Sequence, residues 1–117
     1  MSEDGASTDN VADAYPLSPT QKGMLFESLY AVEAGLYVEQ ITWELRGELN
    51  LGAYRRAWDE VVRRHAVLRS ALVWESVEQP LQVVRTQVRV PWEELDWRGE
   101  SRRLQQAKFD QLLIADR

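Results

Sequence analysis

"NLGAYRRAWDEVVRRHAVLRSALVW", residues 50–74, changes its period partway along. Asn50 suits the position before a helix, where a short side-chain oxygen can accept a hydrogen bond from a first-turn N–H. Behind it Leu51, Tyr54, Ala57 or Trp58, and Val61 fall on one face at helical spacing, which predicts a helix running to about Arg64. On the opposite face Arg55, Asp59 and Arg63 lie four apart, as do Arg56, Glu60 and Arg64. Such series predict exposed ion pairs that contribute a few tenths of a kcal/mol each. After His65 the helical period gives way to two β-rich runs, "VLRSALVW" and "PLQVVR", joined around residues 75–80. They read as a hairpin with a loop of several residues.

Outward from this stretch the same mixture continues. Between Leu36 and Arg46, Ile41, Trp43 and Leu45 alternate with Gln40, Thr42 and Glu44, the period of a half-buried strand that ends near Gly47. Further upstream, "PLSPTQKGMLFESL", residues 16–29, holds a helix start. Ser18 can cap, Pro19 suits the first helical position, and Gln21 can reach back to the backbone N–H of the cap. Met24, Leu25, Leu29 and Phe26 follow as a stripe predicted to be buried on a helix from Pro19 to Tyr30, with Gly35 closing the segment. Residues 1–13 are rich in Ser, Asp, Gly, Thr and Asn, and are expected to form a flexible leader to a globular part spanning 14–117.

Downstream, "VRVPWEELDW" begins extended, and Pro91 keeps it out of the middle of a sheet. "ESRRLQQAKFDQLLIADR" is predicted to be helical, with Phe109, Leu112 and Leu113 within one turn. It lacks a glycine C-cap, and the expectation is of a fold that continues past it. Helix, strand, helix, strand, strand, helix is an α+β order, with helices expected on one face of a small mixed sheet.

Composition narrows the chemistry. The chain has 117 residues, 44% hydrophobic and 28% charged, enough for one modest domain. With no cysteine and one histidine, His65, it offers neither a disulfide framework nor a zinc site. Net charge is -5, and the arginines are scattered among carboxylates, which argues against nucleic acid as a partner. No apolar run reaches the roughly 18 residues of a membrane span, and "MSEDGASTDN" is unlike a signal peptide. A cytoplasmic location is expected. Glu93, Glu94 and Asp96 lie close in sequence, but no second element converges on them.

Two stretches carry a resemblance: "YPLSPTQKGMLFESLY", residues 15–30, and "RRHAVLRSAL", residues 63–72, which "GELNLGAYRRAW" leads into. Together they resemble the N-terminal part of a condensation domain from a nonribosomal peptide synthetase. Ser18, Gln21 and Met24 stand at positions of that family's opening motif, with Gly23 where many members carry arginine. Arg64, His65, Leu68 and Arg69 match the next motif, RHExLRTxF, while Ala66, Ser70 and Leu72 depart from it. The resemblance implies part of the N-terminal lobe of a chloramphenicol acetyltransferase-like fold, in which carrier-bound donor and acceptor thioesters meet in a tunnel framed in part by the helix at Ser18.

The catalytic histidine of the family belongs to a third motif, HHxxxDG, which this sequence does not contain. Catalysis by this chain alone is therefore not expected. His65 is read as structural, since no nucleophile or second base lies in sequence reach. The resemblance places Arg64 and Arg69 near the active-site region, whereas a cation favoured at a helix C-terminus accounts for Arg64 equally well. Capping alone explains Ser18 and Gln21, Met24 and Phe26 are read as core, and Tyr15 and Pro16 either edge a channel or order the chain's entry.

No cofactor is expected, since the substrates of the family arrive on the phosphopantetheine of carrier proteins. Expected partners are the remainder of a condensation domain, other synthetase domains and a carrier protein, with self-association through exposed strand edges as a further expectation. A non-catalytic interaction module that binds a carrier protein, an adenylation domain or another synthetase subunit is the alternative to a condensation-domain piece.

Overall fold

The computed structural model describes residues 10–32 and 36–116. In chain order it contains β1 (Val11–Pro16), α1 (Pro19–Tyr30), α2 (Leu51–Arg64), a 3-10 turn (Ala66–Arg69), β2 (Ser70–Val73), β3 (Leu81–Arg85) and α3 (Arg102–Ala115). The α+β class is as expected. The three strands lie in the order β1-β3-β2, so the strand latest in sequence is the central one. Both of its neighbours run antiparallel to it: Val84 faces Asp13 on one side and Ser70 on the other, and Leu81 faces Pro16 and Val73.

The expected mixed sheet is thus antiparallel throughout the described residues. Parallel neighbours need a long crossover, and here a hairpin joins β2 to β3 while the returning β1 closes the other side. β1 also corrects the leader. Val11 to Asp13, expected in the flexible segment 1–13, are strand residues, with a register irregularity between Val11 and Asp13. Residues 1–9 lie outside the described part. Polar composition hid this strand, because backbone groups alone supply the ladder.

The ladder is prolonged by a side chain. Asn10 accepts from Thr86 N at 3.1 Å through its backbone carbonyl. Its Oδ1 accepts from Gln87 N at 2.9 Å and its Nδ2 donates to Gln87 O at 3.0 Å, so the carboxamide stands in for one more peptide group.

α1 starts as its sequence predicts. Gln21 N donates to Ser18 Oγ at 3.2 Å, and Ser18 N donates to Gln21 Oε1 at 2.9 Å, completing the reciprocal box. The same Gln21 donates through Nε2 to Gln82 Oε1 of β3 at 2.7 Å, which fastens the first turn to the central strand. The helix ends at Tyr30, with Ala31 N donating to Glu27 O. Gly35, expected to close the segment, lies outside the described residues.

Of the predicted stripe only Leu25 is buried. Met24, Phe26 and Leu29 are exposed, Phe26 to 66%. Helical spacing identifies a face but not what covers it: Gln21 and Leu25, four apart, are tied to or buried in the rest, and Glu27 accepts from the Tyr37 hydroxyl. A Cβ built on Gly23 would meet nothing within 4 Å.

The strand expected between Leu36 and Arg46 does not form. Residues 38–46 carry no ladder, and Ile41, Trp43 and Leu45 are exposed, Ile41 to 78%. Alternation supplies a face to bury, but a strand also needs a neighbour with free backbone groups, and none of the described strands pairs with it. The segment is held by Gln40 Nε2, which donates to Leu113 O at 2.8 Å, and by Trp43 stacked on Trp58 with ring centres 6.4 Å apart.

α3 is capped by Ser101, whose Oγ accepts from Leu104 N at 3.2 Å. Phe109, Leu112 and Leu113 are half-buried, consistent with their spacing. Lys108 pairs with Glu100, and Gln105 Nε2 donates to Trp97 O at 2.9 Å.

Among the described residues the buried apolar ones are Leu17, Leu25, Val62 and Val84, one each from the β1–α1 link, α1, α2 and β3. This small core goes with an open shape. The radius of gyration is 17.8 Å, against about 13 Å for a compact domain of this length. Val84→Ala should destabilise the sheet by about 2 kcal/mol, read as lost hydrogen-exchange protection at the β3 amides. Tyr30→Ala, on an exposed side chain, should stay within about 0.5 kcal/mol.

Candidate functional site

The junction between α2 and β2 holds the second motif. α2 begins at Asn50, whose Oδ1 accepts from Ala53 N at 3.0 Å, and ends where His65 N donates to Val61 O at 3.1 Å. His65 itself is extended, with φ -116° and ψ 103°, and the chain tightens into the 3-10 turn through Leu68 N donating to His65 O at 3.0 Å. Ending a helix leaves its last carbonyls without partners. Arg69 supplies one: its Nε donates to Val62 O at 3.2 Å. Through Nη1 the same guanidinium donates to Arg85 O at 2.5 Å, at the end of β3.

Arg69 therefore joins the C-terminus of α2 to the central strand. Its positive charge also sits where the helix dipole favours a cation. Ser70 Oγ, which donates to Ala66 O at 2.9 Å, braces the turn.

Arg64 has a different place. Its Nε donates to Glu60 Oε1 at 2.8 Å on the outer side of α2, and Arg63 reaches the same carboxylate with Nε at 2.8 Å and Nη2 at 2.6 Å. These hydrogen bonds, from Arg63 first and Arg64 second, hold the Glu60 carboxyl at about 2, below its ordinary 4.5. Of the ion pairs expected along α2, Glu60 with Arg64 forms, whereas Arg63 joins Glu60 and not Asp59, Arg56 has no ion pair among the described residues, and Arg55 turns away from Asp59. Its Nη2 donates to Glu94 Oε2 at 3.1 Å, and its guanidinium lies 5.4 Å from the centre of the Trp92 ring.

His65 is exposed, and its imidazole makes no hydrogen bond among the described residues. None of those residues offers it a nucleophile to activate. Leu68 is also exposed. Leu68 and Arg69 line an open recess of about 460 Å³ with Asn10, Ser70, Arg85 and Gln87, and neither Arg64 nor His65 reaches it. Among the described residues no three His, Asp or Glu side chains gather as a metal site.

The first motif meets the second through β3. Gln21 is bonded at Gln82 and Arg69 at Arg85, so the two motifs are fixed to one strand, three residues apart. Ser18 stays with its cap, and Met24 is exposed on α1 without a place in the recess. Asn10 and Gln82 are the contributors that the motifs do not reveal. A glutamine amid "PLQVVR" is the one signal, a polar group in an apolar run.

Comparison with known proteins gives a consistent result. The family described as Condensation domain matches residues 11–116. The chain is 44% identical over 108 residues to one of the proteins that make up the linear gramicidin synthase of Brevibacillus parabrevis, covering 92% of this chain and 1% of that protein. It is 41% identical over 107 residues to a second protein of the same synthase, covering 92% and 2%. With bacitracin synthase 1 of Bacillus licheniformis it shares 30% over 114 residues, covering 97% and 2%. The chain thus spans 1 to 2% of the length of these relatives.

Two outcomes follow from the junction. Arg69→Met, which strips both carbonyls of their donor, should cost roughly 2 kcal/mol, and Arg69→Lys should recover only part, since one ammonium cannot span both acceptors. Thermal melts of these variants beside an unaffected His65→Gln check this. The Glu60 carboxyl, followed by carbon NMR, should titrate near 2. A depressed folded value means that its stabilising contribution is complete above the ordinary carboxyl range and is lost as pH falls toward 2. Replacing Arg63 and Arg64 together by glutamine should return the midpoint toward 4.5.

Proposed function

The chain belongs to the condensation-domain family, and we propose that it supplies a non-catalytic wall of a condensation site, working with a segment that carries HHxxxDG. The observation that carries this reading is the imbalance between core and surface. Among the described residues four apolar side chains are buried, while Met24, Leu29, Trp43, Leu51 and Val61 stand exposed on α1, on α2 and on the segment between them. An apolar surface of that kind is a contact surface. The part of the chain that matches motifs is meanwhile rigidly built through β3 and Arg69, yet places no base beside a nucleophile.

The reaction would be peptide bond formation between aminoacyl or peptidyl thioesters on carrier proteins. An amine attacks the donor thioester carbonyl, the carbon–sulfur bond breaks, and the carrier thiol leaves. The proton relay belongs to the HHxxxDG segment. This chain would bring no cofactor of its own, the phosphopantetheine arm being the carrier's. Its remaining partners would be other synthetase domains, in the cytoplasm. Among the described residues no helix is long and apolar enough to cross a membrane. Exposed apolar surface also suits the alternative, a module that binds another synthetase protein without taking part in condensation.

Reconstitution separates the two. Mixed with a polypeptide carrying the rest of a condensation domain and with loaded donor and acceptor carriers, the chain should be required for dipeptidyl thioester, detected by intact-protein mass spectrometry. Arg69→Met should lower the yield. Equal yield without this chain would overturn the reading and favour the binding module.

A further inference from the structure

Away from the motifs, α3 and the unpaired segment before α2 enclose a second recess, of about 780 Å³ and open to solvent. Arg46 and Glu44 line it on one side, Arg102 and Arg103 from the first turn of α3, and Trp97 and Phe109 contribute apolar surface between them. Elsewhere Arg55 is matched by Glu94, Arg63 and Arg64 by Glu60, and Arg98 by Asp96, while Arg56 and Arg89 carry no ion pair among the described residues but have no aromatic recess of this kind beside them. Arg46 has Glu44 at 2.8 Å, both well exposed. Arg102 and Arg103 have no hydrogen bond or ion pair among the described residues, and no acidic residue shares their turn. The recess therefore carries net positive charge on a chain whose overall charge is -5.

We propose that this recess docks an acidic face of another polypeptide. The guanidiniums of Arg102 and Arg103 can each meet a carboxylate with paired N–H donors, while Arg46 on the facing wall is held by Glu44. Trp97 and Phe109 add the aromatic surface that, with arginine, is enriched where proteins meet. Its breadth and its exposed walls suit a row of carboxylates better than one small anion, which is ordinarily held in a site that encloses it. Two cations in the first turn also run against the helix dipole, a local repulsion that an acidic partner relieves. The recess shares no lining residue with the one beside Arg69, so its test does not depend on the condensation reading.

The test uses the whole chain and a fluorescein-labelled helical peptide with glutamates along one face, beside a twin with glutamine in their place. Anisotropy should report binding of the first and not the second, weakened by added salt. The backbone amides of Trp97, Arg102 and Arg103, and the indole of Trp97, should shift in NMR spectra on titration. Arg102→Gln with Arg103→Gln should weaken binding roughly tenfold, the effect of two lost charge-assisted contacts, while Arg56→Gln with Arg89→Gln, which removes equal charge elsewhere, should leave it nearly unchanged. Equal loss in both pairs would reduce the effect to overall charge and overturn the proposal. Resonance changes confined to another surface would do the same, as would displacement of the peptide by inorganic phosphate at matching concentration, which would assign the arginines to a small anion.

Discussion

The guanidinium of Arg69 sits where two requirements meet. α2 must end, which leaves Val62 O in need of a donor, and β3 must stop with Arg85 O turned toward the turn. One planar group with donors on both edges satisfies both carbonyls, a task that an ammonium cannot do in the same geometry. The hairpin is thereby set against the helix, and β1 is laid on the other edge of the same strand. Gln21 then positions α1 from Gln82, so that α1, α2, the sheet and both motifs take their places from β3, while α3 is tied to Gln40 and Trp97. The short strand is the frame, and two polar side chains locate α1 and α2 upon it.

Much of this was legible in the sequence. Capping residues act within a few positions of themselves, so Ser18, Gln21 and Asn50 announced two helix starts that the structure contains. The change of period after His65 likewise marked the hairpin. What was not legible depends on partners distant in sequence. Ile41, Trp43 and Leu45 alternate as strand residues do, but no described strand lies beside them. Leu25 and Leu29 have helical spacing, yet whether such a face is covered is a property of neighbours, and Leu29 is exposed. Asn10 acts through a side chain that copies the backbone, at the end of a polar stretch, and no composition rule separates it from a leader.

The motif residues divide by the same logic. A resemblance groups Arg64, His65, Leu68 and Arg69 because they are close in sequence. The fold sends Arg64 to the outer face of α2, leaves His65 in water and turns Arg69 inward. Arginine thus serves three ends in one small chain: an internal joint at position 69, an exposed pair with Glu60 at 63 and 64, and unmatched charge at 102 and 103. Residue type is constant among them, and the supply of nearby acceptors decides which role each takes.

Gly23 has a consequence for how the first helix behaves in time. It stands inside α1 at a position where a side chain would meet nothing, so no close approach requires it. A glycine there leaves the helix about 1 kcal/mol less favourable than alanine would. Tight fastening at Gln21 and Leu25 on either side confines that weakness to a single turn. The amides of that turn, between Gln21 and Leu25, should therefore open more readily than the sheet does and exchange with solvent earlier. The far end of α1 is held differently: Glu27 accepts from the Tyr37 hydroxyl, so this turn is tied to the segment that follows it and not to the strand.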